Sequence, residues 1–166
     1  MQPSVYPIPL DLPGRLWIMP KPSPEWLAED IAAYRAMGMD KIISLMTRDE
    51  MEELGLADEA ELCRNHGMDF LQFPIPDRGL PEQQPFAALA RATLGELQAG
   101  MALGVHCRAG IGRSGLLACC ILTIYGLAAA ESIARVSRAR GVAVPDTDAQ
   151  AAFIRSVSAN LAAAAE

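Results

Sequence analysis

The chain has 166 residues, enough for one sizeable core and too few for two independent domains. Hydrophobic residues make up 51% and charged residues 20%, with no low-complexity tract, so residues 1–166 should fold as a single domain and not remain disordered. A formal net charge of −6 argues against nucleic acid or an anionic membrane as partner, and an anionic substrate would need a local positive site.

Along the chain, residues 1–10 carry three prolines without a basic-then-apolar order and do not read as a signal peptide. Residues 16–19 form a short β-type run, followed by a proline-studded loop over 20–24. Trp26, Leu27, Ile31, Tyr34 and Met37 then recur at helical spacing, with Ser23 as expected cap, Pro24 at the first helical position and Gly38 at the end. A compact apolar strand is expected over 41–45. The charged trio Arg48, Asp49 and Glu50 follows it, as a solvated loop or as the rim of a site. A helix over 57–66 closes at Gly67, and the next strand covers 68–73.

Residues 74–81 hold three prolines and a glycine, which leaves few backbone donors and forces a loop. Helical periodicity returns over 86–99, Gly100 breaks it, and 101–106 is a strand. Helices are expected over 113–125, 129–139 and 147–164. The longest apolar stretch, 116–130, contains Thr123, Tyr125 and Gly126 and falls short of the ~20 residues of a membrane span. The alternation predicts an α/β fold with a largely parallel central sheet of four or five strands covered by helices on both faces. Ligands of such sheets bind beyond the carboxyl ends of the strands, where the loops after Leu45, Phe73 and His106 should gather.

The segment His106-Cys107-Arg108-Ala109-Gly110-Ile111-Gly112-Arg113-Ser114-Gly115 lies between an expected strand and an expected helix. A tight loop with two glycines can turn successive N–H groups inward as an anion nest, and the helix N-terminus that follows favours the same negative charge. Arg108, Ala109, Gly110, Ile111 and Gly112 would line that cradle. Five intervening residues return Arg113 over it, where a planar guanidinium can grip two phosphate oxygens. The same features lower the pKa of a thiol from ~8.5, so Cys107 should be a thiolate at neutral pH. Ser114 can donate to the sulfur as it leaves.

This segment resembles the signature loop of the protein-tyrosine phosphatase superfamily, and within it the short dual-specificity and kinase-associated phosphatases. The resemblance implies a cysteine-dependent hydrolysis of phosphate monoesters through a phosphocysteine, with a phosphorylated protein or small phosphate ester as substrate and no metal or other cofactor. It also implies an aspartate on a loop about thirty residues before the cysteine. Asp77 answers to that position; Asp69 competes but lies within an expected strand. His106 is implied to orient the cysteine through hydrogen bonds, and Gln150 resembles a glutamine used near the hydrolytic water. Residues 13–18 resemble the entry strand of these enzymes.

Three other readings compete with the phosphatase. Phosphoinositide or other non-protein phosphatases resembling this one often carry lysines within the loop, where this chain has Ala109 and Ile111. Phosphopeptide-binding modules usually lose the cysteine, arginine or aspartate, and all three are present. A rhodanese-like sulfur transferase gives no purpose to Asp77 or to the Arg113-Ser114 pair. Cys119 and Cys120 lie on the apolar helix as core, and Cys63 is a candidate resolving thiol. Four cysteines without a disulfide-rich pattern fit a reducing compartment, with the cytoplasm as the default.

Overall fold

Side chains of the central strands alternate between two apolar clusters, as the period of two in an extended chain requires. Leu16, Ile18, Ile43, Leu103 and Val105 face one cluster, while Trp17, Met19, Ile42 and Ala102 face the other. The computed structural model describes residues 2–165, so Met1 and Glu166, the ends of the expected domain, lie outside the described residues.

In chain order the elements are β1 (Tyr6–Ile8), β2 (Arg15–Met19), α1 (Leu27–Ala36), β3 (Lys41–Ser44), α2 (Arg48–Glu53), α3 (Glu59–Asn65), β4 (Asp69–Gln72), α4 (Gln83–Gln98), β5 (Ala102–His106), α5 (Arg113–Tyr125), α6 (Ala129–Arg140) and α7 (Asp148–Ala165). The sheet order is β1-β2-β5-β3-β4. Four strands are parallel, and β1 adds an antiparallel edge against β2. Helices α4 to α7 supply the first cluster and α1 to α3 the second, which gives the expected three-layer α/β arrangement.

Three differences from the sequence reading have local causes. The proline-rich start was not expected to hold a strand, yet Tyr6 to Ile8 pairs at the sheet edge, where proline is tolerated. Ser23 does not cap α1: its N–H donates to Asp30 Oδ2 at 2.8 Å, and the helix begins after Trp26 without a side-chain cap. The trio Arg48-Asp49-Glu50 is helical, because Thr47 and Glu50 form a reciprocal capping box at its start.

Register delivers the site. Met19, His106 and Ser44 are Cα partners across β2, β5 and β3, so three strands end at one level. The 74–81 loop leaves from beside them, rooted by Phe73 against Phe86, whose ring also meets Phe153 edge-on at 5.7 Å. Truncating the fully buried Phe86 to alanine should cost about 3–5 kcal/mol and loosen that root.

Candidate active site

Immediately after β5, residues 107–112 wrap into a tight loop before α5, and the backbone conformation of that loop is enforced from outside. Gly110 has φ 71°, and a Cβ there would stand 2.5 Å from the Met19 carbonyl carbon and 2.6 Å from its oxygen. Only glycine fits on both counts. At Gly112 a Cβ would press on Asp146 and on the Gln150 amide. Three of the loop carbonyls find donors outside the loop. Lys21 N–H donates to the Arg108 carbonyl at 3.1 Å, and Arg140 donates through Nε to Gly110 O at 3.0 Å and through Nη2 to Ala109 O at 3.1 Å. The Arg140 guanidinium itself lies 4.1 Å from the centre of the Tyr6 ring.

Cys107 sits at the floor of this loop, almost wholly buried. Burial opposes ionisation of its thiol, but the Ser114 hydroxyl, the Ser114 N–H, the Arg113 charge and the Gly110 N–H together outweigh it and hold the pKa below the ordinary thiol value. The Ser114 hydroxyl is buried and engaged by no other group, so it is left to face the sulfur. The remaining thiols go the opposite way. Burial, then the Glu59 charge, pushes Cys63 up to about 12, burial alone pushes Cys120 up to about 12, and burial with its neighbour Cys120 raises Cys119.

Arg113 is fully buried and heavily engaged. Nη1 donates to Glu50 Oε1 at 2.6 Å and to Ile75 O at 2.7 Å, while Nη2 donates to Glu50 Oε2 at 3.0 Å and to Asp77 Oδ1 at 3.2 Å. Its Nε is buried without a partner. Burial alone would raise the Glu50 carboxyl, but the Arg113 hydrogen bonds, the Thr47 N–H and the Arg113 charge hold it below its usual range. The other loop arginine, Arg108, is half-exposed and lies 3.7 Å from Glu50 and 4.0 Å from Asp77.

A cavity of about 160 Å³ opens over these groups, lined by Asp77, Cys107, Arg108, Ala109, Gly112, Arg113 and Gln150 together with the exposed pair Arg78 and Asp146. Arg78 and Asp146 meet at 2.9 Å, joining the Asp77 loop to the start of α7. Gln150 is buried; its Oε1 accepts the N–H groups of Asp146 and Thr147 at 3.1 and 3.2 Å, and its Nε2 donates to Gly79 O at 3.4 Å.

Seven residues singled out in the sequence therefore line one cavity. Ser114 and Gly110 act on the sulfur from behind, Ile111 packs its side chain into the first core cluster, and His106 is fully buried beneath the loop. Asp69 is exposed on β4 and does not line the cavity. Cys63 belongs to the cluster on the opposite face of the sheet from Cys107, which removes it as a resolving thiol. Sequence reasoning named Glu50 only within a charged trio at the possible rim of the site, and it missed Glu59 and Arg140. The Thr47-x-x-Glu50 capping pattern was the available signal for the first; the others had none, because their partners are 47 and 30 residues away.

Comparison with known proteins agrees with this arrangement. The family model PTP-SAK, described as Swiss Army Knife protein, DSP-PTPase phosphatase domain, matches residues 12–161. Cyclin-dependent kinase inhibitor 3 of Sus scrofa is 26% identical over 96 residues, which are 58% of this chain and 45% of that protein, so the match spans less than half of the relative. A crystal structure of kinase associated phosphatase, with its catalytic-site cysteine replaced by serine, has a TM-score of 0.89 at 20% identity and covers 98% of both chains. Tk-PTP in its active form has a TM-score of 0.74 at 25% identity, covering 88% of this chain and 92% of that one. With its family match reaching from residue 12 to residue 161, the chain belongs to the PTP-SAK family of DSP-PTPase phosphatase domains.

Proposed function

We propose that the chain is a protein-tyrosine or dual-specificity phosphatase that hydrolyses phosphate monoesters through a phosphocysteine at Cys107. The observation that carries the reading is a buried thiol with lowered pKa at the floor of a small cavity whose walls hold Arg113 and Asp77. In the first step the thiolate attacks phosphorus, the P–O bond to the leaving group breaks, and that oxygen takes a proton from Asp77. In the second, water attacks the phosphocysteine, Asp77 receives its proton, and the sulfur leaves as a thiolate steadied by Ser114.

Arg113 contributes through the donors that Glu50 leaves over. With Nη1 taken by Glu50 and Ile75 and Nη2 shared between Glu50 and Asp77, the phosphate grip falls to the unpartnered Nε and to the Nη2 proton that Asp77 gives up to the arriving group. The loop N–H groups, of which that of Gly110 faces the Cys107 sulfur, supply the remaining donors in this reading. Gln150, tied to Gly79 and to the start of α7, is placed to order the attacking water.

A phosphorylated protein is the favoured substrate over a polyphosphorylated headgroup. Ala109 and Ile111 offer additional phosphates no partner, and the Arg78 charge at the mouth of the cavity is already taken up by Asp146 at 2.9 Å. No helix among the described residues is long and apolar enough to cross a membrane. A nucleophilic thiolate suits a reducing compartment, which supports the cytoplasm as part of this reading. The test is Cys107→Ser with an aryl phosphate: hydrolysis should vanish while vanadate or phosphate binding persists, and retained turnover removes the proposal.

A further inference from the structure

Beneath the signature loop lies a second buried pair. Glu59, at the start of α3, is fully buried, and its Oε1 stands 2.6 Å from His106 Nε2. The other ring nitrogen, Nδ1, is 3.1 Å from the carbonyl oxygen of Cys107. Both imidazole nitrogens thus face oxygen acceptors, and a histidine bonded to two acceptors carries a proton on each. Glu59 Oε2 is buried with no hydrogen-bond partner. A buried carboxylate left half-satisfied is a poor device for stability, since apolar replacements of such pairs are often neutral or stabilising. Its position directly behind the nucleophile suggests another use.

We propose that Glu59 is a positioning residue for the phosphatase reaction: its buried carboxylate keeps His106 doubly protonated, and the imidazolium fixes the Cys107 carbonyl and adds positive potential behind the sulfur. The inference rests on the reading of Cys107 as nucleophile. Burial by itself would strip the His106 proton, but the Glu59 charge and hydrogen bond, followed by the Cys107 carbonyl, reverse that and raise its pKa. The other ionisable groups around the pair do not compete for the charge. Tyr34 on α1 is driven upward by burial, then by Asp30, Glu59 and Cys63, and stays neutral; Cys63 on α3, pushed to about 12, stays neutral too. Holding the Cys107 carbonyl against His106 also turns that oxygen away from the anion cradle, where its negative end would oppose phosphate.

The experiment reads His106 and Cys107 separately. In the wild-type chain, with ring nitrogens of its two histidines labelled with ¹⁵N, His106 should show imidazolium shifts from pH 5 to pH 8, while His66 serves as internal reference. In Glu59→Gln, which keeps the shape and removes the charge, His106 should become neutral at pH 8. The pH curve of Cys107 alkylation by iodoacetamide should move upward by about one unit, a rate up to about tenfold lower on its acid limb, and the acid limb of kcat/KM should move with it. A neutral His106 in the wild type at pH 7, or a Glu59→Gln alkylation curve superimposable on the wild type, overturns the inference. The wild-type spectrum decides the matter even where Glu59→Gln fails to fold. Activity retained by Cys107→Ser would instead remove the nucleophile assignment, and an inactive Cys107→Ser beside a freely titrating His106 would remove this inference alone.

Discussion

Glu50 receives both terminal nitrogens of Arg113, at 2.6 and 3.0 Å, so the plane of the guanidinium is set before any phosphate arrives. Glu50→Gln removes the charge that compensates an arginine only 1% exposed. Breaking a buried pair from one side costs about 3–5 kcal/mol, and a loss of that order should appear as a lower urea midpoint. Because the freed guanidinium can swing, kcat/KM for an aryl phosphate should fall as well. A variant with wild-type activity would show that Glu50 does not position Arg113.

The same pair sets an acid limit on stability. The Glu50 carboxyl titrates below its usual range in the folded protein, so its contribution is fully present above the unfolded value of ~4.3 and is lost as pH falls through the folded value. Thermal melts of wild type and Glu50→Gln should therefore differ at pH 7 and converge towards pH 3. A gap that stays constant over that range would contradict the linkage.

Lowering of the Cys107 thiol has the corresponding kinetic sign. Alkylation of Cys107 should already be at its plateau below pH 8, whereas an ordinary thiol, with a pKa of ~8.5, is still rising there. Ser114→Ala removes the largest group favouring the thiolate and should shift the curve to higher pH. An unshifted curve would assign the effect to Arg113 and the backbone.

Asp77 is half-exposed and 3.2 Å from Arg113 Nη2. As general acid it should contribute roughly 10²–10⁴ to turnover, most for esters with poor leaving groups. Asp77→Asn assayed on an alkyl phosphate and on an activated aryl phosphate should show a large loss on the first and a small one on the second. Equal losses on both would point away from proton donation.

Arg140 braces the cradle from outside through two carbonyls and the Tyr6 ring. Charge-assisted hydrogen bonds contribute about 1.5–3 kcal/mol each when buried, and less at this partly exposed site. Arg140→Ala should weaken competitive inhibition by inorganic phosphate about tenfold with little change in melting temperature, and Arg140→Lys should recover part of it. Unchanged inhibition would mean that the loop holds its shape without the brace.

Most of this architecture was legible because it is local. Short apolar runs marked β2, β3 and β5, helical spacing marked α1 and α4, and the Cys107 to Ser114 segment announced both its turn and the family. What was not legible depends on partners distant in the chain. Glu50 reads as one charge in a charged run until α2 turns it towards Arg113, 63 residues on. Glu59 reads as a solvated helix residue until α3 packs it under His106. Arg140 looks like an ordinary basic helix end. The missed strand β1 failed for a different reason, since prolines hide an edge whose neighbour supplies the pairing.

The four thiols of this chain answer to very different chemistry: Cys107 is acidic, while Cys63, Cys119 and Cys120 are sealed among apolar side chains. A mild electrophile at neutral pH thereby distinguishes one site from three lookalikes without any engineered tag. Unfolding erases the distinction and exposes all four, so the number of labelled thiols per molecule is itself a gauge of native structure.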